Sequence, residues 1–110
     1  MSQVIRYTVK PEFAAGNERL IRDVFDELTH ARPPGFSYQS FVQDDGVGFV
    51  HVVDDATGAD SSPLLALPAF ERFQRGIDER CAVAPSRTGM REIGSYGRPV
   101  TADSREQVEV

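Results

Sequence analysis

The stretch Phe36-Ser-Tyr-Gln-Ser-Phe-Val-Gln-Asp-Asp-Gly-Val-Gly-Phe-Val-His-Val-Val-Asp54 decides the fold. Phe36, Tyr38, Ser40 and Val42 alternate with Ser37, Gln39, Phe41 and Gln43. Period two is the mark of a strand, whose successive side chains face opposite sides. Asp44-Asp45-Gly46 is a tight-turn signal, so the chain returns as a hairpin. On the returning strand, from Val47 to Asp54, Val50 and Val52 share one face, and Phe49, His51 and Val53 the other.

Working outward, the period changes to that of a helix on both sides. Upstream, Leu20, Ile21, Val24, Phe25 and Leu28 form one apolar stripe, which predicts a helix from about Asn17 to His30. Asn17 is expected as its N-cap, and Arg32-Pro33-Pro34-Gly35 ends it. Before it, Ile5, Tyr7 and Val9 alternate with Arg6, Thr8 and Lys10 until Pro11 stops the strand. Downstream comes a polar loop from Asp54 to Ser62, a short turn with two prolines, and a helix entered at Pro68. Phe70, Phe73, Ile77 and Cys81 are expected on its apolar side, with Gly76 inside it. Arg87 to Tyr96 reads as the last strand, and residues 98–110 as a polar tail. Strand, helix, strand, strand, helix, strand is the α+β ferredoxin-like order, here spanning one domain over residues 3–97.

Composition narrows the function. The chain has 110 residues, room for one domain. A net charge of −5 counts against nucleic acid and anionic membrane surfaces as partners. Cys81 is the single cysteine, so no intrachain disulfide forms, which fits a reducing cytoplasm. No apolar run is long enough to span a bilayer, and residues 1–6 do not resemble a signal peptide.

Each helix has one apolar stripe, so both are expected on one sheet face. The most apolar set, Val50 and Val52 with Ile5, Tyr7 and Val9, is assigned to that side. The other face then carries Arg6, Thr8, Phe49, His51 and, from the hairpin, either Tyr38 or Gln39 and Phe41. A bare face of this mixed character suits a sheet-to-sheet homodimer enclosing a lined cavity.

The strand Val4-Ile-Arg-Tyr-Thr-Val-Lys-Pro11, the helix from Asn17, the hairpin ending Phe49-Val-His-Val-Val53 and the segment Leu67-Pro-Ala-Phe-Glu-Arg-Phe-Gln74 together resemble the antibiotic biosynthesis monooxygenase family of the dimeric α/β-barrel superfamily. The resemblance implies a homodimer with its two sheets face to face. It also implies oxidation of polycyclic aromatic substrates by molecular oxygen without metal or flavin; other members degrade haem. The better-understood members use an Asn–Trp pairing near the cavity, and the haem-degrading ones a histidine on the second helix. This chain has no tryptophan, its only asparagine is Asn17, and residues 67–81 hold no histidine. No catalytic residue is therefore carried over.

The residues themselves offer His51 and Arg6 as catalytic candidates: a neutral-range base or hydrogen-bond donor, and a holder of an anionic oxygen. His51 also fits a hydrogen-bonded group inside a dimer interface, and Arg6 an ion pair with Glu92. Phe49, Tyr38 and Thr8 are the candidate substrate-binding residues. Tyr7 reads as packing with a polar tip, Cys81 as a small core residue, and His30 as a cation at a helix C-terminus. Two histidines, one cysteine and the acidic pairs Asp44/Asp45 and Asp54/Asp55 make neither a zinc nor a calcium pattern, so no metal or other cofactor is expected. The expectation is an oxygenase-like homodimer acting on a small aromatic or quinol substrate between its sheets. The alternative is a dimeric binding module without catalysis.

Overall fold

A computed structural model describes residues 2–55 and 63–97. Four strands, β1 (Ser2–Val9), β2 (Phe36–Val42), β3 (Gly48–Asp55) and β4 (Cys81–Met90), form one antiparallel sheet in the order β2-β3-β1-β4. The helices are α1 (Ala14–Ala31), α2 (Pro68–Gln74) and the single turn α3 (Ile77–Arg80). The ferredoxin-like arrangement expected from the segment order is present. The tail at 98–110 and most of the loop before Pro63 lie outside the described residues.

Local chemistry explains the boundaries. In the hairpin, Gly46 takes a φ of 80°, a left-handed conformation that costs other residues a steric clash. The Asp45 carboxylate accepts from the Val47 and Gly48 amides at 3.0 and 2.9 Å and so closes the turn. α1 ends where Arg32 turns left-handed (φ 48°) and its amide donates to the Leu28 carbonyl, ahead of Pro33. Glu27 of α1 accepts from the Ala69 amide at 3.0 Å and ties α2 across it.

Two boundaries differ from the sequence reading. The second helix does not run through to Cys81: Gly76 is left-handed (φ 77°), α2 stops at Gln74, and the chain restarts as α3. Cys81 opens β4, paired with Val9, where it still packs against the core. The last strand accordingly begins at Cys81 rather than Arg87 and ends at Met90; residues 91–97 are exposed and irregular. Arg6 pairs in register with Ser86, and among the described residues the expected Arg6–Glu92 ion pair does not form.

The face assignment also changes. Ile5 lies opposite His51 and Tyr7 opposite Phe49, and directly opposed residues of an antiparallel pair share a face. Tyr38, Ser40 and Val42 lie opposite Val53, His51 and Phe49 and join them. The helix-covered face is therefore Ile5, Tyr7, Val9, Phe49, His51, Val53, Tyr38 and Ser40. Val4, Arg6, Thr8, Gln39, Phe41, Val50 and Val52 form the other. The physical reason is bulk: Tyr7, Val9, Ile21, Val24, Phe49, Leu64, Ala69 and Phe73 form the buried core, and Phe49 fills it better than the smaller valines.

Candidate functional site

The centre of the molecule is polar. Asn17 is 0% exposed, His51 3% and Arg80 9%, and they are linked. Arg80 Nε donates to Asn17 Oδ1 at 3.1 Å, and Asn17 Nδ2 donates to the Tyr7 hydroxyl at 2.9 Å. That hydroxyl lies 2.8 Å from His51 Nε2. On the far side of the imidazole, Nδ1 lies 2.7 Å from the Tyr38 hydroxyl and 2.8 Å from Ser40 Oγ. The remaining Arg80 nitrogens donate to the carbonyls of Arg75 (3.0 Å) and Phe73 (2.6 Å). No buried side-chain polar atom among the described residues lacks a partner, as a polar cluster in a core requires.

Each position has a local cause. Tyr7, His51, Tyr38 and Ser40 stand on three neighbouring strands in register, so their tips meet. Asn17 is not the N-cap of α1. It lies one turn inside the helix, in phase with Ile21, Val24 and Leu28, and enters the core on the same stripe. Arg80 reaches inward because the Gly76 break redirects the chain, which frees the Phe73 and Arg75 carbonyls to receive it. Aromatic rings wall the cluster: Tyr7 stacks on Phe49 (5.5 Å) and on His51 (5.3 Å), and Tyr38 on Phe25 (5.0 Å). The Arg80 guanidinium lies 5.4 Å from the Phe73 ring centre.

Burial sets the electrostatics. Desolvation pulls the His51 pKa down to about 4, so the ring is neutral at physiological pH. It pushes Tyr7 well above the usual phenol range, against the lowering effect of Asn17 and Arg80. Tyr38 is pushed up to about 12, again by burial. Burial also lowers the Arg80 pKa. Among the described residues no carboxylate pairs with Arg80; its partners are three neutral oxygens.

Beside the cluster is a partly open cavity of about 660 Å³, between the inner sheet face and α2. Tyr7, Tyr38 and His51 form its polar wall, and Ile5, Leu64, Leu65, Phe70, Phe73 and Ile77 an apolar one. Arg87 stands on its lining. Gln3, Asp55, Glu71 and Gln74 also line it, and a volume of this size with mixed polar and apolar walls suits a small organic ligand.

The sequence candidates therefore separate. His51 and Tyr38 meet at the cavity. Phe49 faces the same side but lies behind Tyr7, buried, outside the lining of this cavity. Arg6 and Thr8 are on the opposite sheet face and do not approach His51. A cavity was expected between two sheets; this one lies under the helices of a single chain. Asn17, Tyr7, Ser40 and Arg80 were not read as site residues. For Asn17 the signal was present: a polar residue in phase with an apolar stripe. Tyr7 was discounted because its partners are distant in sequence.

No protein-family profile matches the chain, and no curated protein matches it. Solved structures do. An antibiotic biosynthesis monooxygenase superposes with a TM-score of 0.61 at 20% identity, covering 86% of this chain and all of that one. A Bacteroides thetaiotaomicron protein provisionally given the same designation scores 0.68 at 12% identity, covering 84% and 89%. SnoaB, a cofactor-independent oxygenase from Streptomyces nogalater, scores 0.53 at 22% identity, covering 83% and 92%. The fold is thus that of the antibiotic biosynthesis monooxygenases. No helix of the described residues is long and apolar enough to cross a membrane.

Proposed function

We propose that the chain is a monooxygenase-like protein that uses neither metal nor flavin, and that it oxidises a small hydroxylated aromatic, of quinol or anthrone type. The observation that carries this reading is the position of His51 and Tyr38 on the wall of a cavity whose facing side is apolar and aromatic, with Leu64, Phe70 and Phe73. A flat aromatic would lie against Phe70, Phe73 and Leu64 with its oxygen toward the Tyr38 hydroxyl. Un-ionised Tyr38, its own oxygen held by neutral His51, would hydrogen-bond the oxygen of the substrate anion as charge spreads into the ring. The likeness to the cofactor-independent oxygenase supports the same reaction class through the shared fold.

The chemistry balances without a further reactant. A ring CH₂, present in an anthrone or in the keto form of a quinol, loses a proton to solvent, and the carbanion passes one electron to dioxygen. The two radicals join as a peroxide, which takes up a proton. Loss of water then leaves a carbonyl, with one oxygen atom in the product and one in water. The bare sheet face, with exposed Phe41 beside Val50 and Val52, fits a second copy of the chain. A cytoplasmic location fits the single unpaired cysteine.

The test is dioxygen uptake with a panel of quinols and anthrones, against His51→Gln and Tyr38→Phe. The expected result is uptake by the wild-type chain and a loss of about a hundredfold in either variant. Full activity in both variants would remove these residues from the reaction. Ligand binding with no uptake from any substrate would favour a binding module.

A further inference from the structure

The hydrogen bonds of the buried cluster have only one consistent direction. A guanidinium donates and never accepts. The Asn17 atom facing Arg80 must therefore be Oδ1, which turns its amide nitrogen toward Tyr7. The Tyr7 oxygen accepts that bond. Its own hydrogen then has one acceptor within reach, His51 Nε2. The hydrogen of the neutral imidazole must be on Nδ1, where the Tyr38 and Ser40 oxygens receive it. The Ser40 hydroxyl also donates to the Tyr38 oxygen, so the Tyr38 hydrogen is left for the cavity that Tyr38 lines. The opposite direction turns the Tyr7 hydrogen away from its one acceptor among the described residues, at a cost of roughly 1–3 kcal/mol. Turning Asn17 over instead would set its amine against the guanidinium.

We propose that Arg80 and Asn17 are positioning residues that fix the direction of this chain, so that Tyr38 presents a hydrogen-bond donor to the cavity and the site selects a ligand by an anionic or carbonyl oxygen, a phenolate or enolate over the neutral phenol. The ligand class rests on the cavity being a substrate site. The direction of the chain does not. Arg80 acts from a distance, with Asn17, Tyr7 and His51 between it and the ligand, and its role is orientation.

Asn17→Asp tests the direction. A carboxylate at 17 still accepts from Arg80, so the buried pair is retained, but it can no longer donate to Tyr7. The Tyr7 hydroxyl must then turn toward residue 17, and the His51 hydrogen must move to Nε2. The readout is the pair of imidazole ¹⁵N shifts of His51, with exposed His30 as the internal control. Expected are Nδ1–H in the wild-type chain and Nε2–H in Asn17→Asp. A wild-type His51 protonated on Nε2, or a tautomer unmoved by the substitution, would overturn the proposal. Wild-type spectra decide the point even where the variant does not fold.

Titration with 4-nitrophenolate, followed by its visible band, tests the ligand class. Tyr38→Phe removes the donor without adding charge, and is expected to weaken binding about tenfold or more while leaving Nδ1–H in place. Equal binding by Tyr38→Phe, or no binding to the wild-type chain, overturns the ligand class and leaves the direction standing. Binding as expected with no dioxygen uptake from any quinol sinks the oxygenase reading and keeps this one.

Discussion

The two faces of one sheet have opposite designs. The inner face holds the polar residues Tyr7, His51, Tyr38 and Ser40, yet it is the buried one. The outer face holds Val4, Val50, Val52 and Phe41, and Phe41 is 51% exposed. The Val50/Val52 pair therefore points the wrong way when it is read without its register. A core accepts polar groups when each finds a partner, and a surface keeps apolar groups when a partner molecule uses them. What separates the faces is the reach of Asn17 from α1 and Arg80 from α3 into the inner one.

The comparison is broken most severely from the inner side. Arg80→Met would leave Asn17 Oδ1 and the Phe73 and Arg75 carbonyls without their donor, and should destabilise the fold by about 3 kcal/mol or more in urea titration. A loss below about 1 kcal/mol would mean that the buried cation does not organise the core. Phe73→Ala removes the ring beneath Tyr7, His51 and Arg80 and should cost about 3–4 kcal/mol by the same measurement.

The inner face should also respond to pH. His51 has a folded pKa of about 4 against 6.5 unfolded, so below 6.5 the unfolded chain binds the proton that the folded chain refuses. Stability is then full above pH 6.5, falls as pH is lowered, and levels off near pH 4, a total of about 3 kcal/mol. Melting temperature followed from pH 7 to 5 should show the slope, and His51→Gln should flatten it. An equal slope in the variant would assign it elsewhere.

The outer face should answer differently. Phe41→Asp is expected to change monomer stability by under about 0.5 kcal/mol. It should shift sedimentation from dimer to monomer, and a wild-type chain that sediments as a monomer would remove the second copy from the picture. At the bottom of the scale, Glu18→Gln breaks an exposed i,i+4 pair with Arg22 (3.2 Å) and should cost only a few tenths of a kcal/mol.

The order and type of the elements were legible because periodicity, prolines and the Asp45-Gly46 turn are local signals. The second helix was read too long because Phe73, Ile77 and Cys81 keep helical spacing across Gly76, although the glycine turns the chain there. The site was half legible. His51 and Tyr38 stood out by residue type. Arg6 and Thr8 were drawn in only because their strand was laid against β3 with the wrong face.

The sequence by itself determined a ferredoxin-like α+β domain with a hairpin between two helices, because each element's pattern is written within its own residues. Only the tertiary structure decided which face of the sheet is inside, where the cavity lies, and that Asn17 and Arg80 belong to it. Register joins residues 44 positions apart for Tyr7 and His51, and 63 apart for Asn17 and Arg80. No local signal encodes that choice, because it rests on whether buried polar atoms find each other across the fold.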